Sequence, residues 1–233
     1  MLGFLDKLKG SISGLKGTTL YYPGCLTRHA LPFVMVKYKA LLSDLGVDFK
    51  IIDEINCCGA PLLNAGYALD FAEIKEKNIR LMKKHNVTRI ITNCPHCYDM
   101  LKNQYFLPAE HISQTLEAHK HKLAHRGHEE IAYHDPCLLA RKNNVIKEPR
   151  LLLKQIGFRI IEPARSREKT FCCGAGGGLK QNSPALANQI AKERLNHLGA
   201  KKIIVSCPYC LLHLSENAGN KKIIELSQVL VED

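Results

Sequence analysis

The 233-residue sequence lacks any run of about 18 apolar residues, the length that a membrane-spanning helix needs. Its first residues also lack the continuous apolar segment of a secretory signal, because Asp6, Lys7 and Lys9 interrupt it. We therefore expect a cytoplasmic protein, in which thiols stay reduced. In that compartment the ten cysteines indicate metal or redox chemistry, not a disulfide framework.

The sequence also lacks several cofactor fingerprints. The ferredoxin run Cys-x2-Cys-x2-Cys-x3-Cys-Pro is absent. The glycine-rich segment 174–178 has neither the Gly-Lys-Ser/Thr ending of a phosphate-binding loop nor the spacing of a dinucleotide-binding fingerprint. A conventional ferredoxin is excluded, and we expect electrons to come from, or go to, another subunit.

A net charge of +11 raises the question of nucleic acid. Lysine and arginine are spread along the chain, however, and no recognised binding motif or interleaved aromatic platform accompanies them. The charge therefore predicts an anionic substrate or an acidic protein partner, and no nucleic-acid partner.

The ten cysteines form a repeat of two sets of five. Each set is one cysteine, then Cys-Cys-Gly, then Cys-Pro-x-Cys, with thirty-odd residues between these clusters. The offset between the sets is 112 to 115 residues, and the flanking residues repeat too. The first set is Cys25, Cys57, Cys58, Cys94 and Cys97; the second is Cys137, Cys172, Cys173, Cys207 and Cys210. This pattern indicates an internal duplication.

Within each half, strand-like and helix-like segments alternate. Strands are predicted at 18–22, 49–52 and 89–92, and again at 131–134, 158–161 and 202–206. Helices are predicted over 34–45 and 151–156, after each Cys-x2-Cys pair, and from Pro184 towards Leu198 with Asn182 and Ser183 as a cap.

This alternation predicts an α/β fold with two tandem pseudo-symmetric cysteine-rich domains, each a small, mainly parallel sheet flanked by helices. The predicted divisions are an N-terminal segment (1–16), a first domain (17–118), a basic His-rich linker (119–129) and a second domain (130–233). All three cysteine clusters of a half fall at the carboxyl ends of strands, so they can converge on one site.

Five thiolates are more than one zinc ion takes, and adjacent cysteines diverge too much for a simple tetrahedral site. An iron–sulfur cluster offers several irons to sulfurs that arrive from different directions. Zinc in one of the sites stays open as an alternative. Each Cys-Pro-x-Cys also resembles a thioredoxin-type active site, but its recurrence after Cys-Cys-Gly disfavours that interpretation.

The doubled pattern resembles the CCG cysteine-rich domain family, which is known from the cysteine-rich subunit of heterodisulfide reductase. The same domain occurs in iron–sulfur subunits of glycolate and glycerol-3-phosphate dehydrogenases and in a lactate-utilisation protein. Both copies match the family motif, and together they cover nearly everything from Cys25 to Cys210.

The resemblance implies that each half binds a non-cubane [4Fe–4S] cluster through its five cysteines, giving two clusters. It further implies a disulfide reductase component that reduces or forms a disulfide, with iron–sulfur or flavin subunits as electron partners. The second set, Cys137 to Cys210, is our candidate for the substrate site. Two alternatives stay open: an electron-transfer subunit of a lactate- or glycolate-type oxidation complex, and a zinc-stabilised interaction module.

Other residues beside the cysteines are candidates for supporting roles. Glycines could bring backbone N–H groups close to a cluster, or could simply form tight turns: Gly59, Gly174, Gly176 and Gly177. Arginines three or four residues after the first cysteine of each half could offset cluster charge or merely be solvated: Arg28 and Arg141. Proton donation or neutral packing are the alternatives for His29, His96 and Tyr209.

Two basic segments lie outside the repeats. The first has apolar residues at helical spacing and could dock on a partner or a membrane surface, although Gly10 and Gly14 favour a frayed tail: Leu5, Leu8, Ile12 and Leu15. The second predicts a solvated linker, or a helix with two metal-binding histidines on one face: His121 and His125.

Overall fold

The computed structural model describes residues 17–55 and 57–231. The predicted N-terminal helix or tail at 1–16 lies outside these ranges. Within them, no helix combines the length and the hydropathy that crossing a bilayer requires.

The first half is a small parallel sheet whose strands alternate with helices. Its strands are β1 (Thr18–Tyr21), β2 (Val87–Thr92) and β3 (Ala109–His111). Its helices are α1 (Cys25–Ala30), α2 (Pro32–Asp44), α3 (Ala60–Asn64), α4 (Ala68–Lys84), α5 (Pro95–Asn103) and α6 (Ile112–Ala118).

The second half repeats this plan. Its strands are β4 (Glu130–His134), β5 (Arg159–Ile161), β6 (Lys202–Val205) and β7 (Lys222–Glu225). Its helices are α7 (Lys147–Gln155), α8 (Leu179–Asn182), α9 (Pro184–His197), α10 (Pro208–Glu216) and α11 (Leu226–Leu230). A π-helical turn, Leu138–Lys142, stands where the first half has α1, and short 3-10 turns occur at Lys120–Lys122 and Arg167–Lys169.

The two sheets have matching strand orders, β1-β2-β3 and β5-β4-β6-β7, with all neighbours parallel. The edge taken by β5 in the second sheet is taken in the first by Lys50 alone, which bridges to Leu20. The predicted strand at 49–52 is therefore wrong. Lys50 makes both of its backbone bonds to β1, and the chain then turns away at 53–54.

The start of α9 agrees with the sequence prediction only in part. Pro184 occupies the first turn of α9 as predicted, because its fixed φ suits that position. Ser183 is the N-cap residue, but its side chain makes no capping hydrogen bond, so that part of the prediction is wrong. The 3-10 turn in the predicted linker ends at Lys122, so His121 and His125 do not share a helical face.

The halves pack with reciprocal contacts. Helix α2 packs against α11, and their counterparts α7 and α6 pack against each other. Tyr38 of α2 donates a hydrogen bond of 2.6 Å to the buried Glu225 that precedes α11. One apolar core extends across both halves and includes Leu42 and Leu152. The predicted fold class, two α/β halves with small parallel sheets flanked by helices, is confirmed.

Candidate metal centre

The cysteine clusters lie where the chain leaves the carboxyl ends of strands. Cys25 begins α1 shortly after β1. Cys94 is the N-cap residue of α5 directly after β2, and Cys207 holds the same position before α10 after β6. Because parallel strands end at one edge of the sheet, the three clusters of each half meet there.

The five sulfurs of the first half form one connected group. Their contacts run in a chain from Cys25 to Cys57, Cys58, Cys97 and Cys94. Cys58, Cys94 and Cys97 are buried, while Cys25 and Cys57 are half-buried. The group therefore has a closed inner side and a more open outer side.

The second half reproduces this arrangement. The Sγ atoms of Cys137 and Cys172 lie 3.5 Å apart, and those of Cys173 and Cys210 lie 3.4 Å apart. Cys207 contacts Cys210 as well. These separations far exceed the roughly 2.05 Å of a disulfide, and all ten cysteines are free thiols.

Hydrogen bonds between thiols give the first group two sulfurs that ionise easily. Bonds from Cys25 and Cys58 lower the pKa of Cys57 to about 2. A bond from Cys97 lowers the pKa of Cys94 well below its usual value. Because the thiolate is the form that binds metal, these two sulfurs are ready ligands.

The second group has the same property at different positions. Bonds from Cys172 and Cys210 lower the pKa of Cys173 well below its usual value. Burial opposes ionisation of Cys207, but bonds from Cys210 and His96 bring its pKa down to about 7. Each group thus holds two acidic thiols, and metal binding would displace the protons of the other three.

Two of the predicted glycines contact cysteine sulfurs through the backbone. The N–H groups of Gly59 and Gly174 donate to Cys57 and Cys172, each at 3.4 Å. Both glycines have positive φ, 79° and 86°, a backbone conformation that glycine adopts readily. Such N–H···S contacts are typical of cluster sites.

Three other glycines near the cysteine groups differ in how much space a side chain would have: Gly24, Gly176 and Gly177. A Cβ on Gly24, a residue that the sequence motifs did not single out, would lie 2.8 Å from Cys97 Sγ. A Cβ on Gly176 would lie 3.1 Å from His96 Nε2, whereas one on Gly177 would meet open space. Gly24 directly precedes Cys25 in the sequence, and this position could have identified it as a residue close to the cysteine group.

His96 joins the two halves. Its imidazole faces the sulfurs of Cys94 in its own half and Cys207 in the other, and its Nδ1 is buried without a hydrogen-bond partner in the described structure. Burial lowers its pKa, but these two sulfurs outweigh that effect and raise the pKa to about 11. Its ring lies 4.5 Å from the ring of Tyr209, the residue at the same place in the second Cys-Pro-x-Cys.

A cavity of about 390 Å³ opens beside this ring pair. The first half contributes residues that include Pro61 and Asn64, and the second half contributes Gly177 and Gln181. His96 and Tyr209 also line the two clefts that contain the cysteine groups. These two rings therefore form a wall shared by the cavity and both clefts.

The two predicted arginines differ. The guanidinium of Arg141 lies close enough to Cys137 to favour its thiolate form. Arg28 instead pairs with Asp53 at 3.3 Å. His29 is exposed at the end of α1.

The sequence motifs also did not reveal two buried residues beside the second cysteine group, His134 and Arg194. His134 Nε2 lies 3.3 Å from Cys210 Sγ, and Arg194 Nε donates to His134 Nδ1 at 2.9 Å. Both side chains are fully buried. Burial lowers the pKa of His134 to about 3 and that of Arg194 to about 10, so near neutral pH the histidine is neutral and the arginine charged.

These donors fit an iron–sulfur centre. Soft thiol sulfurs are the donors that such clusters use, and five per group exceed the four ligands of a structural zinc ion. The Nη2 atom of Arg194 is buried without a hydrogen-bond partner in the described structure, which suits an anionic centre nearby.

Comparisons with known proteins agree with this chemistry. A probable iron–sulfur-binding oxidoreductase of Bacillus subtilis is 34% identical over 81% of this chain and 29% of its own length. A subunit of the dihydromethanophenazine:CoB–CoM heterodisulfide reductase of Methanosarcina barkeri is 31% identical over 94% of this chain and 57% of its own. An EtfAB:quinone oxidoreductase of Syntrophomonas wolfei is 28% identical over 82% of this chain and 30% of its own.

The chain thus spans between 29% and 57% of the lengths of these oxidoreductases. The sequence profile described as the CCG cysteine-rich domain matches it twice, over residues 19–102 and 131–215. Each match contains one complete set of five cysteines. The chain therefore belongs to the CCG cysteine-rich domain family.

Proposed function

We propose that this chain is a redox subunit with an iron–sulfur cluster in each half, and that it reduces or forms a disulfide bound in the cavity between them. The observation that carries the proposal is the wall of His96 and Tyr209. A molecule in the cavity would lie against this wall, with a five-cysteine cleft behind it in each half.

The ligands of the two clusters would be the two sets of five cysteines. Adjacent pairs such as Cys57–Cys58 favour the non-cubane [4Fe–4S] type, whose irons can take sulfurs from several directions. When bound, such clusters supply single electrons and Lewis-acidic iron, which suits the two-electron cleavage of a disulfide.

The chain's own residues would bind and position the substrate. Asn64 and Gln181 offer hydrogen bonds at the cavity, and the net charge of +11 favours an anionic thiol or disulfide. The ring pair would keep bulk water from the buried sulfurs. His96 would hold a proton between Cys94 and Cys207.

We infer that the chain works with other proteins. Its relatives are oxidoreductases whose further length could carry electron-delivering centres. We expect an iron–sulfur or flavin protein to exchange electrons with this chain, in the cytoplasm or peripherally at the membrane through that partner.

Spectroscopy with an added dithiol tests the disulfide proposal. Anaerobically purified protein would be oxidised, titrated with dihydrolipoate and followed by electron paramagnetic resonance. We expect a saturable change in the spectrum, and Asn64→Phe should weaken it by filling the cavity. Asn220→Phe, at an exposed position in a turn, is the matched control. A spectrum that dihydrolipoate leaves unchanged, from chain that contains iron, would count as failure of the disulfide proposal.

That last result would favour the second candidate, an electron-transfer subunit of a lactate- or glycolate-type oxidation complex. The names of the relatives favour this second candidate, because they include different activities, among them a quinone oxidoreductase. The third candidate, a zinc-stabilised interaction module, predicts colourless protein that contains zinc and no iron.

A further inference from the structure

The two cysteine groups differ at matched positions behind them. His134 ends β4, and the corresponding residue after β1 is Tyr22. Arg194 is on the buried face of α9, ten residues after Pro184, its first residue. Asn78 lies ten residues after Ala68, the first residue of α4, is also buried, and donates to the backbone of Cys57. The second group therefore has a buried imidazole and a buried cation where the first has a phenol and an amide.

The direction of the hydrogen bonds at His134 is fixed by Arg194. A guanidinium can only donate, so Nδ1 of His134 must be the acceptor of the 2.9 Å bond. The neutral ring then carries its hydrogen on Nε2, which lies 3.3 Å from Cys210 Sγ. His134 is therefore an N–H donor to this sulfur.

The same bond argues against His134 as a metal ligand. His134, Cys173 and Cys210 do place their ligand atoms within 4.8 Å of one another. Coordination through Nε2 while Nδ1 accepts from Arg194 would require an imidazolate, the doubly deprotonated ring. A neutral ring that donates to the sulfur needs no such ionisation.

Positive charge also collects on the second group. Arg194 is fully buried and forms no ion pair in the described structure. The nearby Asp135 instead accepts hydrogen bonds from both terminal nitrogens of Arg150. Arg141 adds a second guanidinium, at Cys137. At the first group, the matched Arg28 is neutralised by Asp53.

We propose that His134, Arg194 and Arg141 make the second site the centre of higher reduction potential, so that an electron shared between the sites resides there. This inference rests on the proposed iron–sulfur function. Reduction adds negative charge to a cluster, and both hydrogen bonds to its sulfurs and nearby cations stabilise that charge. Contacts shared by both sites, such as His96 and the Gly59 and Gly174 amides, cannot produce the difference.

A redox titration of the cluster-loaded chain, followed by electron paramagnetic resonance, tests the proposal. We expect two midpoint potentials in the unaltered protein. Arg194→Met should lower only the more positive one, by about 59 mV or more, which is about tenfold in the equilibrium constant of a one-electron couple. Arg141→Met should lower the same step, and Arg28→Met, its matched control, should leave that step in place.

His134→Phe separates the donor role from a ligand role. We expect this variant to keep its iron and to lower the more positive potential, whereas loss of iron would identify His134 as a ligand and overturn the proposal. Arg141 is exposed, so its variant leaves the core intact even where a buried substitution prevents folding.

Two further results would overturn the proposal that the second site has the higher reduction potential. One is a single midpoint potential shared by both sites in the unaltered protein. The other is a shift of the more negative midpoint potential in Arg194→Met and Arg141→Met. The proposed function fails separately, because a chain without iron gives no titration at all.

Discussion

Replacing Glu225 with glutamine tests a pH response at the contact between the halves. Glu225 is fully buried, and its carboxylate accepts hydrogen bonds from the Tyr38 hydroxyl and the Ser227 amide, both at 2.6 Å. Burial is the dominant influence, and it raises the pKa of Glu225 from 4.5 to about 7 in spite of these bonds.

The sign of the effect follows from proton binding. A carboxyl group with a raised pKa holds its proton more tightly in the folded chain, so its stabilising contribution is complete below about pH 4.5 and is lost as the pH rises to about 7. At 1.36 kcal/mol per pKa unit, the contribution is about 2 kcal/mol near pH 5.5 and close to zero near pH 8. Glutamine does not titrate, so the variant lacks this pH dependence.

Urea unfolding of both proteins, in anaerobic buffer at about pH 5.5 and about pH 8, measures the effect. We expect the free energy of unfolding of the unaltered protein, relative to Glu225→Gln, to fall by about 2 kcal/mol between these pH values. Titrations common to both proteins cancel in this difference. The exposed Glu73→Gln is the control and should show no such change. A difference that stays constant with pH would refute the reasoning.

Three further predictions concern other parts of the molecule. Burial lowers the pKa of His111 to about 4, so its contribution to stability is complete above pH 6.5 and is lost as the pH falls towards 4; His111→Asn should remove that acid-dependent loss in urea unfolding. Gly24→Ala should lower the iron content of the first site because its Cβ would strike the Cys97 sulfur, whereas Gly199→Ala, with open space around it, should bind iron normally; equal iron in both would contradict the assigned close approach. Arg150→Met should lower the free energy of unfolding by about 3–5 kcal/mol, because it leaves a buried aspartate uncompensated, and a loss below about 1 kcal/mol would show that the pair matters little.

Much of the fold was predictable because the duplication constrains it. The repeated spacing from Cys25 to Cys97 and from Cys137 to Cys210 required two similar units, and apolar segments before each cluster indicated parallel strands. Strands β3 and β7 were missed because no cysteine cluster follows either of them. The segment around Lys50 has the composition of a strand, but the turn that follows limits its pairing to one residue.

The sequence predicted the two groups of cysteines but not the differences between the residues that surround them. Contacts between the halves, such as His96 with Cys207, depend on packing that no local pattern encodes. The relay from Arg194 to His134 joins residues 60 positions apart. The cysteine offsets of 112 to 115 residues do not pair Arg194 with Asn78, and their matching places become visible only when helices α4 and α9 are compared from their first residues.

The most direct test of the central claim is the iron and acid-labile sulfide content of anaerobically purified or reconstituted chain. Two [4Fe–4S] clusters predict about eight irons and about eight sulfides per chain. A variant with Cys172→Ser and Cys173→Ser should keep about half of each, and so should the matched Cys57→Ser and Cys58→Ser variant. Protein that holds zinc and no iron, or that binds neither metal, would contradict the account.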